Sequence, residues 1–186
     1  DTLGIANVDN GTDAVLGVTD DASRLGVKGD EDLGGGLKAI YQWEMTLDID
    51  NGALGASSSN GGSTFGSRDA FLGLSGSWGS VRLGSYNSAY KNVSVPLEIF
   101  GDTVGDFTHT TMSGEGRFAN TIGYTSPNFN GFTVAVERSH AEVADVSGTT
   151  PVNEGATPLV VALSYSMGPL YIGVGQVNYD DAASSQ

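Results

Sequence analysis

From Leu37 to Leu47 apolar and polar positions alternate one for one. Leu37, Ala39, Tyr41, Trp43, Met45 and Leu47 fall on one side, and Lys38, Ile40, Gln42, Glu44 and Thr46 on the other. A period of two is that of a β-strand with one apolar and one mostly polar face. The run Phe132-Thr133-Val134-Ala135-Val136-Glu137 repeats it, as do Ile122 and Tyr124 against Thr121 and Thr125. Leu159–Tyr165 and Leu170–Val177 alternate less cleanly, with Gly or Ala often on the second face. The pattern predicts about nine strands, near Thr2–Asp9, Ser23–Asp30, Leu37–Asp48, Ser67–Ser75, Ser80–Tyr86, Asn120–Ser126, Phe132–Ser139, Leu159–Ser166 and Leu170–Tyr179.

The connections between these segments alternate as well. Asp30–Gly36, Gly76–Gly79, Pro127–Gly131 and Met167–Pro169 are short and rich in turn residues, whereas Asn10–Ala22, Ile49–Gly66, Asn87–Gly116 and His140–Pro158 are long and polar. An outer-membrane barrel has this arrangement because tight turns lie at one rim and long loops at the other. A soluble sandwich has no such reason to alternate. The longest loop, residues 87–117, holds Glu98, Asp102 and Asp106 among apolar residues between Pro96 and Phe107. A loop of that length inside a compact domain calls for a functional role. We expect a single partial β-barrel domain over residues 1–186, all-β and antiparallel, with 87–117 folded inward as a constriction loop.

Composition narrows the class further. The 186 residues include 28 Gly and 39% hydrophobic residues, with a mean hydropathy of −0.09. No apolar run approaches the roughly 20 residues of a spanning helix, but alternating barrel strands average out near neutral hydropathy and fit these values. Eight Lys and Arg stand against 22 Asp and Glu, a net charge of −14. That balance argues against a nucleic-acid partner, which cationic side chains must neutralise, and favours cations over anions. Without Cys there is no disulfide framework and no thiolate metal site.

Catalytic chemistry finds no footing. His109 and His140 stand alone in loops, and neither a Gly-x-Ser-x-Gly elbow nor a phosphate-cradling Gly loop is present. No enzyme and no resident cofactor is expected. The run Asp48-Ile49-Asp50-Asn51-Gly52 has the flavour of a calcium loop but lacks its alternating acids and distal Glu, so it reads as a turn, with loop-bound calcium the one cofactor left open.

A weak internal repeat leads to a family resemblance. Ser23-Arg24-Leu25-Gly26-Val27-Lys28-Gly29 with Leu37-Lys38-Ala39 parallels Ser67-Arg68-Asp69-Ala70-Phe71-Leu72-Gly73 with Val81-Arg82-Leu83. Those stretches, together with Gln42-Trp43-Glu44, Gly79-Ser80-Val81-Arg82-Leu83-Gly84 and Pro96 to Thr103, resemble the trimeric general porins of Gram-negative outer membranes. The resemblance runs from about Leu3 to Tyr179. It implies a barrel of sixteen strands when complete, an even number as such barrels require, of which this sequence holds about nine.

The resemblance also implies a site. Its third long loop bends into the lumen and sets carboxylates opposite a ladder of arginines on the wall. Carried over, the loop acids are Glu98 and Asp102, with Asp106 beside them. The wall bases are Arg24, Arg68 and Arg117, extended by Lys28 and Arg82, and Glu44 is a lumen acid near them. Independently of any family, a basic side chain on a membrane strand avoids the lipid face, where it costs about 2–4 kcal/mol near mid-membrane, so Arg24, Lys28, Lys38, Arg68 and Arg82 should point inward. Acids facing arginines across water create a transverse field that filters solutes by charge and polarity. Lys91 and Arg138 read as rim charges, and Tyr41, Trp43, Tyr124, Phe129 and Tyr165 as interfacial aromatic girdles.

The expected function is passive diffusion of small hydrophilic solutes and ions across the outer membrane of a Gram-negative bacterium, with modest cation preference. The resemblance adds a homotrimer, and the apolar exterior adds outer-membrane lipid or lipopolysaccharide as a partner. The alternative from another class is a non-conducting barrel or sandwich acting in adhesion or ligand binding.

Overall fold

A computed structural model describes residues 2–9, 14–21, 23–48, 53–54, 56–57, 63–64, 68–99, 116–140 and 157–180. The main sheet is built from long antiparallel strands: β3 (Arg24–Gly34), β4 (Leu37–Asp48), β8 (Ala70–Gly76), β9 (Gly79–Asn87), β10 (Arg117–Thr125), β11 (Phe132–Ser139), β12 (Thr157–Met167) and β13 (Leu170–Asp180). They lie side by side in chain order, and the two-residue β5 (Ala53–Leu54) pairs with the end of β4. Strands β1 (Thr2–Asp9) and β2 (Ala14–Asp21) form a separate hairpin, and the short β6 (Ala56–Ser57) and β7 (Ser63–Thr64) another.

The meander follows from its turns. Gly34, Gly35 and Gly36 all have positive φ (85°, 64° and 81°), which residues with a Cβ rarely adopt, and the Asp32 carboxylate accepts from Gly34 N at 2.8 Å. Asn128 Oδ1 closes the β10–β11 turn in the same way, accepting from Gly131 N at 2.8 Å. Each short connection named from sequence thus contains a hairpin turn at one rim, β3–β4, β8–β9, β10–β11 and β12–β13, although Asp30–Gly34, expected within the first of them, continues β3 and pairs with β4.

The pleat sorts side chains onto two faces. Leu25, Val27, Leu72, Leu74, Leu83, Ile122, Val134, Val136, Val161, Leu163, Ile172 and Val174 are exposed on one face, with Leu72 at 69% exposure. So much open Leu, Ile and Val does not suit water; it suits hydrocarbon. The registers place Lys28 opposite Gln42, Gly26 opposite Glu44, Gly73 opposite Arg82 and Gly123 opposite Glu137 on the other face. Aromatics collect near the short turns: Trp78 stacks on Tyr124 at 6.3 Å between ring centroids, and Phe132 lies 4.5 Å from Tyr165.

Three local expectations need correction. Ala14–Asp21, read as part of a long connection, is a strand paired residue for residue with β1, so the strict alternation of short and long connections fails at its first member. Its Val15, Val18 and Thr19 are β-branched and suit a strand, which its polar flanks disguised. The strand expected from Ser67 begins at Ala70, and Arg68 and Asp69 lie ahead of it. The loop after β9 opens with a helix, α1 (Ala89–Ser94), that period-two reasoning passed over.

Candidate functional site

The inner face carries the candidate site, and α1 lies across it. Ser88 caps the helix, its Oγ accepting from Lys91 N at 3.1 Å, and Pro96, which cannot donate from its nitrogen, sits in the 3-10 turn Val95–Leu97 that follows. Ala89, Tyr90 and Val93 press on Ala135, Val160, Ala162 and Val177 of β11 to β13, with Phe118 joining from β10; Val160 is fully buried. The wall there is kept low by glycines. A Cβ at Gly175 would stand 2.7 Å from Tyr90 Cδ2, and one at Gly173 3.0 Å from the Val93 carbonyl oxygen. The Tyr171 hydroxyl donates to that same carbonyl at 2.9 Å.

Three carboxylate–arginine pairs hold the wall and the neck of the loop. Arg68 Nε donates to Glu44 Oε1 at 2.6 Å, and Gln42 Nε2 donates to the other oxygen at 3.3 Å. Arg117 Nε donates to Asp69 Oδ1 at 2.7 Å, and the same oxygen accepts from Asn87 N at 3.1 Å. Asp69 therefore grips both ends of the loop, whose neck is further closed by Ser88 N donating to Gly116 O at 2.9 Å. Arg82 reaches Glu137 at 3.5 Å while its guanidinium lies over the Tyr86 ring, 4.3 Å from the centroid, and 5.4 Å from that of Phe71. A concave space of about 420 Å³ opens beside α1, lined in part by Ile40, Phe71, Arg82, Asn92, Thr125 and Thr133.

The residues singled out from sequence distribute as follows. Arg24 and Lys28 are exposed on β3, and Glu44, Arg68, Arg82 and Arg117 are the paired residues just described. Glu98 is half-buried and accepts from Ser94 Oγ at 3.2 Å; Asp102 and Asp106 lie outside the described residues, as do 49–52 of the calcium-like run. The structure thus joins Arg68 to Glu44, and it pairs Arg82 and Arg117 with carboxylates that sequence reasoning had not named. Lys91 stands on α1, and Arg138 donates from Nη2 to Thr157 Oγ1 at 2.8 Å. Asp69, Tyr86 and Glu137 were missed. The signal for Glu137 was present: it continues the inward series Thr133, Ala135 on β11, a position for a polar side chain. Asp69 gave no periodic signal because it precedes its strand.

The profile of the Gram-negative porin family matches residues 2–186. The chain belongs to that family. Its members are pores rather than enzymes, and the place of this porin is the outer membrane. The porin is 32% identical over 138 residues to the major outer membrane protein P.IB of Neisseria gonorrhoeae, covering 72% of this chain and 35% of that protein. It is 35% identical over 134 residues to P.IB of Neisseria meningitidis serogroup B, covering 71% and 36%. Among solved structures it resembles an anion-selective porin from Comamonas acidovorans, with TM-score 0.66 and 26% identity over 92% of this chain and 52% of that one. The porin spans about a third of the length of the curated relatives it matches and about half of that structure. The apolar exterior is therefore the lipid face of a transmembrane barrel wall, and α1 lies on its lumen side.

Proposed function

We propose that the complete protein is a water-filled diffusion pore for small hydrophilic solutes and ions, narrowed by the loop 87–117. The observation that carries this reading is α1 lying against the inner face of a sheet whose outer face is apolar. A loop that starts by crossing the lumen side reduces the open cross-section, and Glu98, Asp102 and Asp106 are the loop acids we assign to the filter. The wall cations Arg24, Lys28, Arg68, Arg82 and Arg117 line that path, with Glu44 among them.

We assign the pore a modest cation preference. The chain carries 22 Asp and Glu against eight Lys and Arg, a net charge of −14, and among the described residues Lys38, Arg68, Arg82 and Arg117 are each offset by a carboxylate. The Comamonas neighbour is anion-selective, so the fold by itself does not fix the sign, and the preference assigned here rests on the acidic balance of this chain. Homotrimeric assembly and contact with outer-membrane lipid or lipopolysaccharide belong to the same proposal, as does the absence of a resident cofactor.

Single-channel recording of the full-length protein in planar bilayers tests it, with Glu98→Gln and Asp102→Asn combined. We expect cation over anion permeability to fall. An unchanged reversal potential would remove those two acids from the filter, an anion-selective wild type would overturn the preference, and a silent wild type would overturn the pore.

A further inference from the structure

We propose that Glu137 is a positioning residue that latches α1 to the lumen wall and so holds the aperture of the pore constant; this rests on the diffusion-pore reading. Glu137 is 1% exposed, on a β11 position that faces the lumen side. Burying a carboxylate costs several kcal/mol unless it is paired and hydrogen-bonded, so its partners define its purpose. One oxygen accepts from the backbone N–H of Ala89, the first residue of α1, at 2.8 Å, and the other faces Arg82 of β9 at 3.5 Å.

The surroundings are shaped for this carboxylate. A Cβ at Gly123 would stand 2.5 Å from the Tyr86 hydroxyl oxygen and 2.9 Å from Glu137 Cγ, so glycine at that place on β10 lets Tyr86 and Glu137 meet across it. Arg82 is itself fixed over the Tyr86 ring. Glu137 thus ties two wall strands and the first N–H of the helix together, and the Tyr171 hydroxyl bond to Val93 holds the helix farther along. Between these two points α1 is fastened through one charged and one neutral hydrogen bond, of which the charged one is the stronger. Beside these bonds α1 packs through Ala89, Tyr90 and Val93 on apolar side chains and on Gly173 and Gly175.

Amide hydrogen exchange across Ala89–Ser94 in the full-length porin in lipid vesicles, beside open-channel current noise in planar bilayers, tests the latch. Glu137→Met keeps volume but removes the acceptor, and exchange should rise on the order of tenfold to a hundredfold, with excess noise and sub-conductance states. Glu137→Gln keeps an acceptor oxygen and should stay within about threefold of wild type. Ala89→Pro deletes the donor instead; proline suits the first helical position, and Ser88, with φ −59° and ψ 152°, already has the conformation that precedes it. It should reproduce the Glu137→Met signature, and it decides the matter if Glu137→Met does not fold. Wild-type exchange and quiet currents in whichever of these two variants fold would overturn the latch, as would Tyr171→Phe producing the entire effect. A wild type that conducts nothing overturns the pore, and exchange alone then still decides whether Glu137 holds the helix.

Discussion

Asp69 holds both ends of a loop about thirty residues long, and the strength of that grip can be worked out. Its Oδ1 takes the Arg117 guanidinium at 2.7 Å and the Asn87 N–H at 3.1 Å, with the Asp69 and Arg117 side chains 20% and 23% exposed. Two unit charges about 4 Å apart attract by about 4 kcal/mol at an effective dielectric of 20. Desolvation and screening remove much of this, since the pair is neither deeply buried nor free in water, leaving a coupling of about 1–2 kcal/mol. Asp69→Ala also orphans the Asn87 N–H, adding about 1 kcal/mol. The full-length porin unfolded in urea from lipid vesicles, as wild type, Asp69→Ala, Arg117→Met and the double variant, measures the coupling directly. Asp69→Ala should lose about 2–3 kcal/mol, and the double variant should lose clearly less than the sum of the singles. Additivity within about 0.3 kcal/mol would refute the clamp.

Other perturbations probe the two faces and the helix seat. Gly175→Val must push α1 off the wall, because even a Cβ there meets Tyr90 Cδ2 at 2.7 Å; overpacking of this kind costs about 1–3 kcal/mol, and a lower single-channel conductance with retained folding is the expected result. Leu72→Arg puts a charge on the lipid face at a residue 69% exposed and should destabilise the vesicle-inserted barrel by about 2–4 kcal/mol, whereas Lys28→Gln on the lumen side should change stability far less. Trp78→Ala removes the ring stacked on Tyr124 and should cost about 1 kcal/mol in the same urea assay, more in vesicles than in detergent because the interface rewards the indole.

What the sequence alone determined is what depends on period and local turn chemistry. Alternation along Leu37–Leu47 and Phe132–Glu137, and the Gly, Pro, Asn and Asp clusters between strands, are properties of neighbouring residues, so most of the strands, the short-turn rim and the apolar exterior were legible, while β2 was not. The expectation that the wall cations point inward came from an argument of the same local kind, the cost of a lipid-facing charge. The helix α1 was not legible, because six residues make too short a stretch for a period of 3.6 to show, and its stability comes from packing on β11 to β13. Nor were the partners of Arg82 and Arg117, although Glu44 had been placed near Arg68. Arg82 and Glu137 are 55 positions apart, and Arg117 and Asp69 are 48 apart. Only the register of β8 through β11 brings them together, and register arises from many pairings at once, which no single residue announces. The tertiary structure accordingly moved the emphasis from the loop's own acids to wall carboxylates that seat the loop, since the burial that gives a carboxylate such a role exists only once the strands are side by side.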